Sequence, residues 1–211
     1  MAYVLGFFAA DGYITVNKRG GQFWSIQIKD KKLLEEIRKV TNSNHMIGIR
    51  PGKGNEKTLY RLQIGSIEMC DDLRALGYDE RKTKSLALPN VPQKYLSDFV
   101  RGYFDGDGNV WVGNMHKGRG IMSYSILVGF TSGSEMFLKE LKNTLNFTLG
   151  LTGSLFKLKN KDCWVLRYSV RNSLKLYDFM YNSHIQANEL LLERKKKVFE
   201  KYKKCSRSST G

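Results

Sequence analysis

The chain has 211 residues, 41% of them hydrophobic and 12% aromatic, which suffices for one large domain or two small ones with a real core and excludes a disordered chain. Lys and Arg number 35 against 20 acidic residues, a net charge of +15 with a pI near 9.7, so a polyanion, nucleic acid first, is the expected partner. Cys70, Cys163 and Cys205 are odd in number and lack C-x-x-C spacing, no run reaches membrane-spanning length, and no basic segment precedes the apolar N-terminus. These features argue against a disulfide framework, a zinc site and a membrane protein, and point to a soluble intracellular one.

In chain order, the first element is an apolar helix-like run, "YVLGFFAADG". A β-like pair follows, "YITV" with "FWSIQIKD", then a helical pattern, "KKLLEEIRKV", with apolar positions at i, i+3, i+4 and i+7. A second β pair, "MIGIRPGKGNEKTLYRLQI", and a shorter helix, "SIEMCDDLRAL", close the first half. The segment "LALPNVPQKYL" carries two of the three prolines and sets a linker at 86–93 between a first half at 1–85 and a second at 94–204. The second half repeats the order: "FVRGYFDGDG", then "NVWVG" with "YSILVGFTS", "SEMFLKELKNTL", "GSLFKLKNKDCWVLRYSV" and "NSLKLYDFMYN". The last stretch reads as a basic helix fading into a disordered tail at 205–211. The fold class is α+β, with α-β-β-α-β-β-α written twice. Both halves are basic: +5 up to residue 92 (15 basic, 10 acidic) and +10 beyond it (20 basic, 10 acidic).

The repeated helices end in carboxylates, Asp11 and Asp107, where the helix dipole is negative and disfavours them. Small residues recur at i and i+4, Gly6 with Ala10 and Gly102 with Gly106, although a helical glycine costs about 1 kcal/mol relative to alanine. Such spacing lets two helices approach at backbone distance, so the two motif helices are expected to pack on each other. Gly12 and Gly108 are expected to end their helices in a left-handed conformation. Two carboxylates brought together at two negative helix ends need a counter-charge, which a hard divalent cation provides by taking carboxylate and carbonyl oxygens.

Residues 4–12, VLGFFAADG, and 100–108, VRGYFDGDG, resemble the LAGLIDADG motif of homing endonucleases, and the chain is similar throughout to the single-chain, pseudo-symmetric members with two motifs. The resemblance implies two halves, each a curved four-stranded antiparallel sheet covered by helices on one face, joined at a two-helix seam, with duplex DNA along the other face. It implies a site-specific DNA endonuclease that hydrolyses one phosphodiester per strand across the minor groove, leaving 3′ overhangs. The eighth motif positions, Asp11 and Asp107, would bind metal with the carbonyls of Ala10 and Gly106. Mg2+ is the expected ion, with Mn2+ able to substitute and Ca2+ binding without supporting cleavage. The sixth positions are Ala9 and Asp105, which makes Asp105 a weaker site candidate.

"DERKTK" and "LERKKK" echo each other after each half's closing helix; the resemblance implies a basic residue near the scissile phosphate from this region, and Lys82 and Lys195 are the matched candidates. Strand alternation adds a polar face able to meet base edges and phosphates. The DNA-facing set comprises Thr15, Asn17, Lys18, Arg19, Gln22, Ser25, Gln27, Lys29, Arg50, Lys53, Arg61 and Gln63 in the first half. In the second it comprises Trp111, Asn114, His116, Lys117, Arg119, Ser125, Lys157, Lys159 and Arg167. A monomer on a long, asymmetric double-stranded target is expected. Met-Ala at the start and Ser-Thr-Gly at the end lack splice-junction residues, so a freestanding, intron-homing protein is expected over an intein. An RNA-splicing maturase and a non-cleaving DNA-binding regulator are the alternatives; retention of both acids argues against the regulator.

Overall fold

The computed structural model describes residues 1–79, 82–115, 123–159, 161–182 and 190–208. The chain divides into two compact units, Met1–Gly106 and Asp107–Gly211.

The first unit begins with helix α1 (Ala2–Asp11), which runs directly into strands β1 (Gly12–Val16) and β2 (Gln22–Ile28). Helix α2 (Lys31–Val40), strands β3 (Gly48–Arg50) and β4 (Leu59–Gly65), and helix α3 (Ile67–Ala75) follow. The sheet is antiparallel in the order β1-β2-β4-β3. Its register sets Ile14 opposite Trp24, Trp24 opposite Ile64 and Ile26 opposite Leu62, so these apolar side chains share one face. α2 presents Leu33, Leu34 and Ile37 as a buried stripe, while α3 is capped by Ser66, whose Oγ accepts from the Met69 N–H at 3.1 Å. Complete burial of each such aliphatic side chain contributes about 1.5–3 kcal/mol.

After a single turn α4 (Lys82–Ser85), residues 86–92 carry no regular structure, and a 3-10 turn at Gln93–Tyr95 leads into α5 (Leu96–Asp107). Up to Gly106, α5 belongs to the first unit because it lies against α1 at backbone distance. A Cβ added at Gly6 would fall on the carbonyl of Phe99, and one at Gly102 on the carbonyl of Tyr3. The expected close helix pair is therefore present, held by glycines that no larger residue can replace. A polar clasp reinforces it: the Tyr3 hydroxyl donates to Asp105 Oδ2 at 2.8 Å, and Arg101, paired with Asp98 at 2.7 Å, lies over the Tyr3 ring.

The left-handed caps expected at Gly12 and Gly108 do not occur. Gly12 is extended, at φ −84° and ψ 156°, and Gly108 is absent from the positive-φ glycines. Each is the first residue of a strand, so the helix passes straight into the sheet. At Gly12 the requirement is steric, since a Cβ would enter the Phe8 ring.

The second unit repeats the plan. Strands β5 (Gly108–Met115) and β6 (Ser123–Ser132), helix α6 (Glu135–Leu149), strands β7 (Ser154–Lys157) and β8 (Trp164–Tyr168), and helix α7 (Val170–Tyr181) form a sheet ordered β5-β6-β8-β7 under helices. α6 is capped by Ser134 and ends at Gly150, which is left-handed at φ 63°. Val128, Phe130, Leu166 and Tyr168 meet Phe137, Leu138, Leu141 and Leu145 in its core.

The last helix, α8 (Glu193–Ser208), corrects the expected tail at 205: residues 205–208 continue the helix. Its buried stripe, Lys195, Phe199 and Tyr202, extends toward half-buried Ser206, and no glycine or proline stands before Ser208 to break it. Among the described residues no helix is long and apolar enough to cross a membrane, and all three cysteines are free thiols, Cys70 buried.

Candidate catalytic carboxylates and nucleic-acid interface

Asp11 and Asp107 are each the last residue of a motif helix, and each is half-buried. In the first unit the Asp11 carboxylate lies beside the Gly106 backbone, while the Ala10 side chain packs against the same glycine. Asp105, two residues earlier, is fully enclosed and bonded to Tyr3. It serves the helix pair.

In the second unit Lys195 is buried at the start of α8, and its ammonium donates to the Gly108 carbonyl at 2.6 Å, one residue from Asp107. Its neighbours point elsewhere: Lys196 lies over the Tyr181 ring and Lys197 is exposed. Geometry thus distinguishes Lys195 among three adjoining lysines. Lys82 opens α4, but its side chain lies outside the described residues.

The donors fit a hard cation. Among the described residues no three His, Cys, Asp or Glu gather, so any cation would take one or two carboxylates and complete its shell with carbonyls, water or substrate phosphate. An all-oxygen set of carboxylate and carbonyl is of the kind that hard divalent cations take.

Strand register sorts the DNA-facing expectations. In the first sheet Tyr13, Ser25 and Gln63 stand in one row, Gln27 faces Arg61, and Thr15 faces Phe23; Arg50, opposite Leu59, shares their side. All lie on the face opposite Trp24, Ile26 and Leu62, with Arg50 and Arg61 exposed. Lys18 and Arg19 are exposed in the β1–β2 turn, and Lys29 and Lys53 are exposed in loops. Asn17 builds that turn, its Oδ1 accepting from the Arg19 and Gly21 N–H groups. In the second sheet Arg167 lies on the open face over the Phe156 ring, and Trp111, 45% exposed, stands in the Leu127 row with its ring across Gly113. Lys159 is exposed beyond β7, whereas His116, Lys117 and Arg119 lie outside the described residues.

Several expectations are corrected. Gln22 pairs with Val16 on the helix side, and its amide oxygen accepts from Arg74 of α3 at 2.6 Å. Asn114 pairs with Tyr124, whose ring stacks on Tyr202 of α8, so it too has helix-side parity. Lys157 pairs with Trp164 on the Leu166 side and is ion-paired to Asp162 at 3.0 Å. Ser25 and Ser125 have the right parity but are buried; the Ser125 hydroxyl turns to the Ser123 carbonyl, and the short Ser25 side chain sits between Tyr13 and Gln63. Counting by twos from Trp111 would have added Asn109, and the β7–β8 register sets Ser154 opposite Arg167; both are exposed on the open face.

The family model described as the LAGLIDADG-like domain matches residues 1–72 and 94–180. The "Probable translation initiation factor IF-2" of Thermococcus kodakarensis is 27% identical over 192 residues, covering 83% of this chain; the chain spans 15% of that relative's length. Among solved structures, the homing endonuclease I-WcaI bound to its DNA recognition sequence is similar at TM-score 0.64 and 20% identity, covering 93% of this chain and 83% of its own. The I-LtrWI LAGLIDADG homing endonuclease bound to target DNA gives 0.63 and 16%, covering 96% and 87%. I-DmoI in complex with DNA and Mn gives 0.60 and 18%, covering 87% and 97%.

Proposed function

The chain belongs to the LAGLIDADG-like domain family, and from that premise we propose that it is a sequence-specific, divalent-metal-dependent endonuclease of double-stranded DNA that hydrolyses one phosphodiester on each strand and leaves 3′ overhangs. The observation that carries this reading is the doubled plan itself: each motif helix ends in a carboxylate and runs directly into a four-stranded sheet with an open, partly polar face.

In this reading Asp11 and Asp107 hold magnesium together with the carbonyls of Ala10 and Gly106. When bound, the metal lowers the pKa of water and stabilises charge on the leaving oxygen. Lys195, fixed against Gly108, offsets negative charge developing on one phosphate. Lys82 is its counterpart in the other half.

Arg61, Gln63, Gln27 and Arg50 in one half, and Arg167, Asn109 and Trp111 in the other, supply base and sugar-phosphate contacts. Because these sets differ in chemistry, the target is asymmetric and one chain suffices to read it. Lys18, Arg19, Lys29, Lys53 and Lys159 meet phosphates.

The test is a randomised duplex library incubated with the protein and Mg2+, with the ends of cut molecules sequenced. Recovery of one long asymmetric consensus cut with 3′ overhangs is expected. Binding without cutting in any divalent ion would instead leave a DNA-binding regulator.

A further inference from the structure

We propose that the outer face of α8 is a second, non-specific binding surface for duplex DNA, able to hold a separate DNA segment while the open sheet face holds the target. This extends the reading above, because it assumes that the sheet face takes the first duplex. The orientation of α8 is fixed by its buried side: Lys195 on Gly108, Phe199 against Tyr177 and Tyr181, and Tyr202 stacked on Tyr124. At 100° per residue the opposite side carries Lys197, Lys201 and Lys204, with Arg194 beside them, all exposed. These four span about 15 Å of helix axis at 1.5 Å per residue, a ridge long enough for several phosphates of one strand.

Charge balance sets this helix apart. α8 carries eight basic residues (Arg194, Lys195, Lys196, Lys197, Lys201, Lys203, Lys204, Arg207) and two acidic ones, Glu193 and Glu200. α2 is closer to balance, with Lys31, Lys32, Arg38 and Lys39 against Glu35 and Glu36, and α6 is balanced, with Lys139 and Lys142 against Glu135 and Glu140. Lys203 is not part of the ridge, since it turns to Asp178 at 3.3 Å and lies over the Tyr177 ring.

The ridge faces away from the open sheet face. Tyr202 stacks on Tyr124, which has the parity of the helix-covered side, so α8 lies across the second sheet from Arg167 and Trp111. A lysine ridge without aromatic or amide side chains binds backbone charge and reads no bases. Two such surfaces on opposite sides of one sheet would let the protein pass from one duplex to another without first becoming free.

The experiment compares wild type with a variant carrying Arg194→Gln, Lys197→Gln, Lys201→Gln and Lys204→Gln, and with one carrying Lys31→Gln, Lys32→Gln, Lys39→Gln and Lys139→Gln. Binding to a random-sequence 30-base-pair duplex is measured across salt concentrations, with thermal melts confirming that all fold. Removing the ridge should lower the slope of log K against log salt by roughly 3 to 4, about 0.9 for each phosphate that is no longer neutralised, and the control set should change it by less than about 1. An unchanged slope, or equal losses from the two sets, overturns the proposal.

Dissociation from labelled target duplex should also accelerate with the concentration of unlabelled competitor duplex in wild type and not in the ridge variant. A rate independent of competitor in wild type overturns transfer, and a ridge variant that loses only RNA binding overturns duplex DNA as the occupant. Absence of any target preference in wild type would count against the endonuclease reading, while the random-duplex slope still decides the ridge.

Discussion

Carboxylates two residues apart on α5 have different roles because their surroundings differ. Asp105 is closed off and takes the Tyr3 hydroxyl, whereas Asp107, half-buried at the helix end, remains within reach of solvent. Removing the Tyr3 donor leaves a buried carboxylate short of one hydrogen bond, so Tyr3→Phe should cost about 1–3 kcal/mol. A urea titration would show it as a lower midpoint with unchanged slope; an unaltered midpoint would mean that the clasp contributes nothing to the helix pair. Motif spacing alone points to Asp11 and Asp107. It could not show the enclosure of Asp105, which depends on how α1 packs on α5, or that Lys195 and not Lys196 or Lys197 turns inward, which depends on where α8 crosses β5.

At the scale of elements, the α1–α5 pair depends on glycines with backbone against them. Gly102→Ala places a methyl on the Tyr3 carbonyl, with no flexible side chain to yield, and should cost more than about 3 kcal/mol or prevent folding. Gly6→Ala should act alike through Phe99. Circular dichroism melts of both against Gly20→Ala, where a Cβ meets only open space at φ 79°, separate helix contact from a general glycine effect. Equal losses in all three would remove the close-contact account.

The strands carry a different prediction: Arg61→Ala, Gln63→Ala or Arg167→Ala should each relax preference at one or two target positions, a loss of about 1–3 kcal/mol of discrimination. A single-substitution target library reads it out, and uniform weakening without relaxation would exclude these side chains as readers. Alternation in the sequence was sufficient to place Gln27, Arg61, Gln63 and Arg167 on the open faces, because period two follows from strand geometry. It failed for Gln22, Asn114 and Lys157, which lie near strand ends, where the parity must be counted from a register the sequence does not display. Burial of Ser25 and Ser125 was equally hidden, since a short side chain is covered by neighbours on adjacent strands.

At the scale of the whole molecule, each unit buries a tyrosine hydroxyl, Tyr78 in the first and Tyr168 in the second, and desolvation raises both pKa values well above the ordinary 10.0. The folded state then favours the neutral phenol, so this stability is fully present below pH 10 and is lost as pH rises above it. The melting temperature should fall steeply above about pH 10, and less steeply in Tyr78→Phe and Tyr168→Phe. Identical alkaline slopes in all three proteins would show that these phenols do not set the limit.

The order α-β-β-α-β-β-α, written twice, followed from periodicity and the 96-residue offset between motifs, and the observed elements keep that order. The proposed activity rests on the two carboxylates that the repeat places at matching helix ends. Its most direct test is cleavage of a supercoiled plasmid bearing the selected target, by wild type, Asp11→Asn and Asp107→Asn, with Mg2+ and with EDTA. Metal-dependent double-strand cutting by wild type alone, with both variants still binding the target specifically, is the predicted result; magnesium-dependent double-strand cutting that survives in both variants would contradict it.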